Sequence, residues 1–197
     1  MLIKPFEITC VILCGGKSSR MGEDKSLLPF STSSSLTLYQ YNRLKPYFKN
    51  IYISSKIDKF DFMDKNMLIL DENKDVYSPI IALNTIFNKL PNQKIFIMTV
   101  DTPLVSIKSI EKLIEESENF DICVAQTEKI HNLCGVFSTN ISSSINNMLQ
   151  NDIHKVGYLL KNNNTQIIQF RQNDEFLNLN NKDEYFKALD IIKKTYN

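Results

Sequence analysis

The stretch VILCGGKSSRMGEDKSLLPF (residues 11–30) decides how the rest of the chain is read. It begins inside the apolar run ITCVILCG at 8–15, which ends on glycine. A continuous run of this kind predicts a strand buried on both faces. A glycine pair follows, and then Lys17, Arg20 and Lys25 lie within nine positions of one another. Bare backbone N–H groups at glycine approach phosphate oxygens closely, and nearby cations stabilise charge on a departing phosphate group. Glycine pairs are also common turn punctuation, and a basic loop can simply be solvated. A P-loop, Gly-x-x-x-x-Gly-Lys-Ser/Thr, would place glycine at position 11; that position is Val11, inside the strand. A dinucleotide fingerprint fails as well, because Gly15, Gly16 and Gly22 are not spaced Gly-x-Gly-x-x-Gly.

Outward from this loop, strand and helix signals alternate. IYISS (51–55), MLILD (67–71), KIFIMTVD (94–101), DICVAQ (121–126), LCGVFS (133–138) and QIIQF (166–170) read as strands. Helices are expected at 36–48, ending around Pro46, and at 79–90 with Pro79 in the first turn. Further helices are expected at 106–118 with Ser106 as N-cap, near 140–150, near 155–162 and near 182–195. Such alternation predicts a mostly parallel sheet with helices on both faces. No repeat or long linker divides the chain, so residues 1–197 are read as one domain. In such sheets ligands bind at the carboxyl ends of the strands. The loop after the first strand, Asp71 and Asp101 all fall there.

The composition is 43% hydrophobic and 23% charged, enough for a packed core, and the net charge of +1 offers no broad basic field to nucleic acid or an anionic membrane. The opening MLIKPFEITC lacks a secretory apolar run, and no segment nears the roughly 20 apolar residues of a membrane span. A cytoplasmic protein is expected, without nucleic-acid or membrane partners. Cys10, Cys14, Cys123 and Cys134 lack Cys-x-x-Cys spacing and form no ligand set with His131 or His154, so buried free thiols are expected. Tyr39, Tyr41, Tyr47 and Phe48 read as core, and His154 as a surface residue.

LCGGKSSRMGEDKSLLPF resembles the signature loop Leu-x-Gly-Gly-x-Ser-x-Arg-Met-Gly-x-Asp-Lys-x-Leu-Leu of nucleotidyltransferases that activate a phosphate with a nucleoside triphosphate. The Arg20-Met21-Gly22-x-Asp24-Lys25 form is most similar to the molybdenum cofactor guanylyltransferases, which join GMP to molybdopterin. The resemblance implies a Rossmann-like nucleotidyltransferase fold. It also implies a nucleotide site of Leu13, Cys14, Gly15, Gly16, Lys25, Ser54, Asp71 and Asp101, with catalysis by Arg20, Lys25 and Asp101. MTVDTPLVS is similar to the family's Cys-Asp-x-Pro strand end, and Asp101 is thereby implied to hold Mg²⁺; on residues alone it could equally cap the following turn. LILDENKDVYSPIIAL aligns Asp71 with the family's guanine-contacting Asp, although Ser78-Pro79-Ile80-Ile81-Ala82 departs from Gly-Pro-Leu-x-Gly. Ser54 stands where the family often has asparagine.

IHNLCGVFS, HKVGYLL and FLNLNNKDEY resemble acceptor-side segments, with Asn132 replacing proline and Lys155 replacing arginine. They imply acceptor roles for Asn178, Asn180, His131 and Lys155; His131 could also be a satisfied histidine at a strand start, and the asparagines ordinary loop hydrogen-bonders. The implied reaction uses GTP and molybdopterin. Cofactor-synthesis proteins or molybdoenzyme apoproteins are expected partners. A cytidylyltransferase of the same fold and a non-catalytic GTP-binding or chaperone protein stand as alternatives.

Overall fold

The apolar run at 8–15 becomes β1 (Thr9–Leu13), every residue of it buried. Successive side chains of a strand point to opposite faces, and here both faces are covered. Val11 and Leu13 pack into one apolar cluster, while Cys10 and Ile12 pack into the other. The structure is a computed structural model that describes residues 4–15, 22–72, 76–171 and 173–196. Gly16, Lys17 and Arg20 lie outside the described residues.

After β1 come α1 (Leu36–Leu44), β2 (Ile51–Ser55), β3 (Leu68–Leu70), α2 (Pro79–Lys89), β4 (Lys94–Thr99) and α3 (Ile107–Glu115). The chain continues through β5 (Ile122–Gln126), β6 (Ile130–Ser138), α4 (Ser142–Gln150), α5 (Val156–Lys161), β7 (Thr165–Gln169) and α6 (Lys182–Tyr196). The seven strands form one sheet in the order β3-β2-β1-β4-β6-β5-β7. Every neighbouring pair is parallel except those that β6 makes with β4 and β5. Residues of α1, α3 and α6 pack on one face, and residues of α2, α4 and α5 on the other.

Local chemistry sets the helix ends. Ser106 caps α3 by accepting from the Ser109 N–H, and Ser78 caps α2 by accepting from Ile80 and Ile81, with Pro79 directly behind it. Helix α1 stops at Leu44 rather than 48, because Pro46 has no N–H to extend the ladder. Strand β6 starts three residues earlier than expected and carries His131 within it. Gly135 is required there: a Cβ would sit 2.0 Å from the Cys123 carbonyl oxygen, beside an irregularity in β5 at Val124/Ala125. Tyr39, Tyr41 and Tyr47 pack against the core that includes buried Phe48. All four cysteines are free and buried.

Strand β1 is the switch point. The chain runs outward through β2 and β3 on one side and then returns to place β4 on the other. The crevice at the carboxyl ends of β1, β2, β3 and β4 is where this topology places a ligand.

Candidate active site

At the exit of β1 the Cys14 N–H donates to the Ser54 carbonyl (2.8 Å), and the Leu13 carbonyl accepts from Val100 (3.0 Å). The Cys14 sulfur turns away toward the Thr37 hydroxyl at 3.6 Å, and burial pushes its thiol up to about 12. Gly15 faces open space, with nothing within 4 Å of where a Cβ would stand. Gly22 has a φ of +74°, a conformation that glycine adopts without strain. Two residues on, the Asp24 carboxylate caps the 3-10 turn Lys25–Leu27, accepting from the Ser26 N–H (3.0 Å) and hydroxyl (2.7 Å). Lys59 donates to the other carboxylate oxygen. Burial alone would raise the Asp24 pKa, but the hydrogen bonds from Lys59 and Ser26 outweigh it and hold the carboxyl below its ordinary value.

This turn aims Lys25 at Asp101, two residues beyond β4. Nζ meets Oδ2 at 2.8 Å, with the two side chains 18% and 17% exposed. Asp101 Oδ1 is buried with no hydrogen-bond partner among the described residues. The Asp101 carbonyl accepts from the Leu179 N–H at 2.8 Å, which brings the neighbouring Asn178 alongside. Asn178 Oδ1 is likewise buried and unpartnered among the described residues. Asn180 is used differently: its N–H donates to Glu184 Oε2 at 2.7 Å, bracing the start of α6. Buried polar atoms are nearly always satisfied, so the orphaned hard oxygen of Asp101 just beyond β4 fits a hard cation, with the orphaned Asn178 oxygen a further candidate donor. Among the described residues no three His, Cys, Asp or Glu side chains cluster to hold a metal. That sparse donor set matches Mg²⁺, which takes one or two carboxylates together with phosphate oxygens and water.

Beside this pair lies a cavity of about 380 Å³, lined by Leu13, Gly15, Ser54, Lys56, Asp71 and Tyr77 among others. That volume suits a small ligand. Asp71 is 5% exposed, its N–H donates to the Ser55 carbonyl at 3.0 Å, and Oδ1 has no partner among the described residues. Burial raises its pKa, opposed by the Lys56 charge and a hydrogen bond from Ser54. Lys56 was not singled out from the sequence, because its place in the site depends on partners that only the fold supplies. Its ammonium donates to the Val76 carbonyl (2.6 Å) and stands 4.1 Å from the centre of the Tyr77 ring.

His154, read as a surface residue, reaches this cavity's wall. Nδ1 lies 2.8 Å from the Ser78 hydroxyl and Nε2 lies 2.8 Å from Asp152, leaving the side chain one-third exposed. The same Ser78 oxygen accepts from the Ile80 and Ile81 N–H groups of α2. Lys155 follows His154, exposed, directly before α5.

A second cavity, about 320 Å³, is lined by Thr99, Thr102, Lys129, His131, Leu133 and Asn178 among others. Thr99 and Leu133 line both cavities, so the two adjoin at the end of β4. His131 is buried, with Nε2 2.8 Å from the Thr127 hydroxyl and the ring stacked on Phe176 at 4.9 Å. Burial, and then the Lys129 charge, lower its pKa. The crevice thus gathers Leu13, Gly15, Lys25, Ser54, Asp71, Asp101, Asn178 and His131. A larger groove of about 890 Å³ lies between α1, α6 and the segment after Asp101, and contains none of these residues.

A doubly wound sheet with a cation–carboxylate pair at its switch point and a cavity lined by a buried acid nearby is the arrangement of a nucleotidyltransferase. The chain belongs to the family of the MobA-like NTP transferase domain, whose model matches residues 10–166. It is 40% identical over 190 residues to the molybdenum cofactor guanylyltransferase of Campylobacter jejuni subsp. doylei, covering 95% of this chain and 98% of that one. It is 35% identical over 196 residues to the enzyme of the same name from Helicobacter pylori, covering 96% of each. The fold resembles the crystal structure of molybdopterin-guanine dinucleotide biosynthesis protein A from Archaeoglobus fulgidus, with a TM-score of 0.80, 18% identity and coverage of 95% of this chain and all of that one. Among the described residues no helix is long and apolar enough to cross a membrane.

Proposed function

We propose that the protein, acting as one domain in the cytoplasm, transfers GMP from GTP to molybdopterin in its molybdenum-bearing form, releasing pyrophosphate. The observation that carries this reading is Asp71. Asp71, with one carboxylate oxygen buried and unpartnered among the described residues, lines the cavity that Leu13, Gly15 and Thr99 also line, near the end of β4 that carries Asp101. Guanine presents N1–H and a 2-amino group as adjacent donors, which a carboxylate accepts together, whereas cytosine lacks that donor pair.

An oxygen of the acceptor phosphate attacks the α-phosphorus of GTP, and the bond from that phosphorus to pyrophosphate breaks. The acceptor phosphate is already ionised near neutral pH, so no general base is needed. Catalysis is positioning and charge stabilisation. Gly15 and Gly16 bring backbone close to the phosphates. Lys25 and Arg20 neutralise the α-phosphate and the leaving group. Asp101 Oδ1, with Asn178, would hold Mg²⁺, which draws charge from the phosphate oxygens it binds. The second cavity, with His131 and Asn178, takes the acceptor. Cofactor-synthesis proteins or molybdoenzyme apoproteins receive the labile product.

Incubating the protein with molybdopterin, Mg²⁺ and each of GTP, CTP and ATP tests this. The expected outcome is the guanine dinucleotide by mass spectrometry, with one pyrophosphate per product and only with GTP. Asp101→Asn should reduce turnover at least about 10²-fold. A cytosine product, or nucleotide binding without pyrophosphate release, would overturn the proposal.

A further inference from the structure

Lys56 sits where lysine is rarely found. It is 9% exposed and lines the same cavity as Asp71, and lysine is almost never buried without a paired role. The sheet register explains the placement. Strands β2 and β3 run parallel, with Ser55 opposite Leu70. The next residue on each strand is Lys56 and Asp71, so a cation and an anion leave neighbouring strand ends about 4.8 Å apart. The Ser55 carbonyl holds the Asp71 N–H at 3.0 Å and fixes the two strand ends together. The ammonium is itself pinned, by the Val76 carbonyl at 2.6 Å and the Tyr77 ring at 4.1 Å.

We infer that Lys56 is a specificity-determining residue of this site: its ammonium meets the C6 carbonyl oxygen of the same purine whose N1–H and 2-amino groups Asp71 accepts. The inference rests on the guanylyltransferase reading above. A lysine ammonium only donates and an ionised carboxylate only accepts. Guanine alone among the common bases offers an acceptor followed by two donors along one edge. Adenine turns an amino group toward the ammonium and a bare N1 toward the carboxylate, so both contacts become repulsive. Lys56 also attracts Asp71 and opposes its burial-driven pKa rise. One cation then serves both halves of the recognition.

Two GTP analogues separate this role from simple charge neutralisation. 6-Thio-GTP alters only the C6 acceptor, and ITP removes only the 2-amino group. Calorimetric binding of GTP, 6-thio-GTP, ITP, CTP and ATP would be measured on wild type, Lys56→Met and Lys56→Arg. Wild type is expected to prefer GTP to 6-thio-GTP. Lys56→Met should bind GTP about tenfold more weakly and lose that preference, while keeping the GTP-over-ITP ratio that reports on Asp71. Lys56→Arg should restore part of the 6-oxo preference. Equal weakening toward every nucleotide would assign Lys56 to phosphate or general electrostatics and overturn the inference, as would a 6-oxo preference that survives in Lys56→Met. If Lys56→Met fails to fold, wild type decides alone, and equal binding of GTP and 6-thio-GTP overturns the inference. Failure of the underlying reading looks different: wild type would show no preference for GTP over CTP and ATP.

Discussion

Replacing Asp71 by asparagine should stabilise the ligand-free protein and weaken GTP binding. In the free protein the carboxylate is 5% exposed and its Oδ1 has no hydrogen-bond partner among the described residues. Burial disfavours the charged form of this carboxyl, offset in part by attraction to Lys56 and the Ser54 hydrogen bond. A net gain of about 1 kcal/mol on neutralisation corresponds to a Tm increase of about 2–4 °C for a chain of this size. The pH dependence has a definite sign. Because the folded-state pKa is raised, the native state holds more protons than the unfolded chain above the ordinary carboxylate value of about 3.9. Wild-type stability therefore falls as pH rises from there through the raised value, and Asp71→Asn removes that slope. Binding moves the other way. Losing one charge-assisted bond to guanine forfeits about 1.5–3 kcal/mol, or about 10–150-fold in Kd. Thermal melts with and without GTP, together with calorimetry, read both quantities. A variant that is less stable by about 1 kcal/mol or more, yet binds GTP normally, would refute the reasoning and make Asp71 a structural residue.

Three further outcomes follow from other contacts. Lys59→Met frees the Asp24 cap that aims Lys25 at Asp101; kcat should fall about tenfold with less than about 1 kcal/mol of stability lost, and Lys59→Arg should rescue it in steady-state assays. His154→Ala removes the partner of the Ser78 hydroxyl. GTP binding should weaken several-fold and stability fall by about 1 kcal/mol, whereas a stability loss with unchanged GTP affinity would confine the contact to folding. His131 is held below its ordinary pKa, first by burial and then by Lys129. Its stabilising contribution is thus present above about pH 6.5 and is lost as pH falls through the lowered folded value, so denaturant melts of wild type and His131→Gln should converge on acidification.

The architecture was legible where burial is two-sided. Ile95 and Ile97 face one cluster while Phe96 and Met98 face the other, so the whole run had to be apolar. Helix starts were legible where a cap stands beside them, as at Ser78-Pro79 and Ser106. The start of β6 was hidden because His131 and Asn132 look like loop residues; His131 is buried there only because Thr127 and Phe176 receive it. Asp71 and Asp101 were visible because each acid ends an apolar strand. Lys56 and His154 were not, since their roles depend on partners fixed by folding: the Asp71 strand end, 15 residues away, and Ser78, 76 residues away. A cation in a polar stretch resembles any solvated lysine until sheet register sets it against a carboxylate.

The most direct measurement is a crystal structure with a non-hydrolysable GTP analogue and Mg²⁺. The expected density places the guanine edge against Asp71 and Lys56, the phosphates over Gly15 beside Lys25, and the ion on Asp101. A base bound outside the Asp71 cavity, or phosphates distant from the Lys25–Asp101 pair, would contradict the proposed site and the guanylyl transfer built on it.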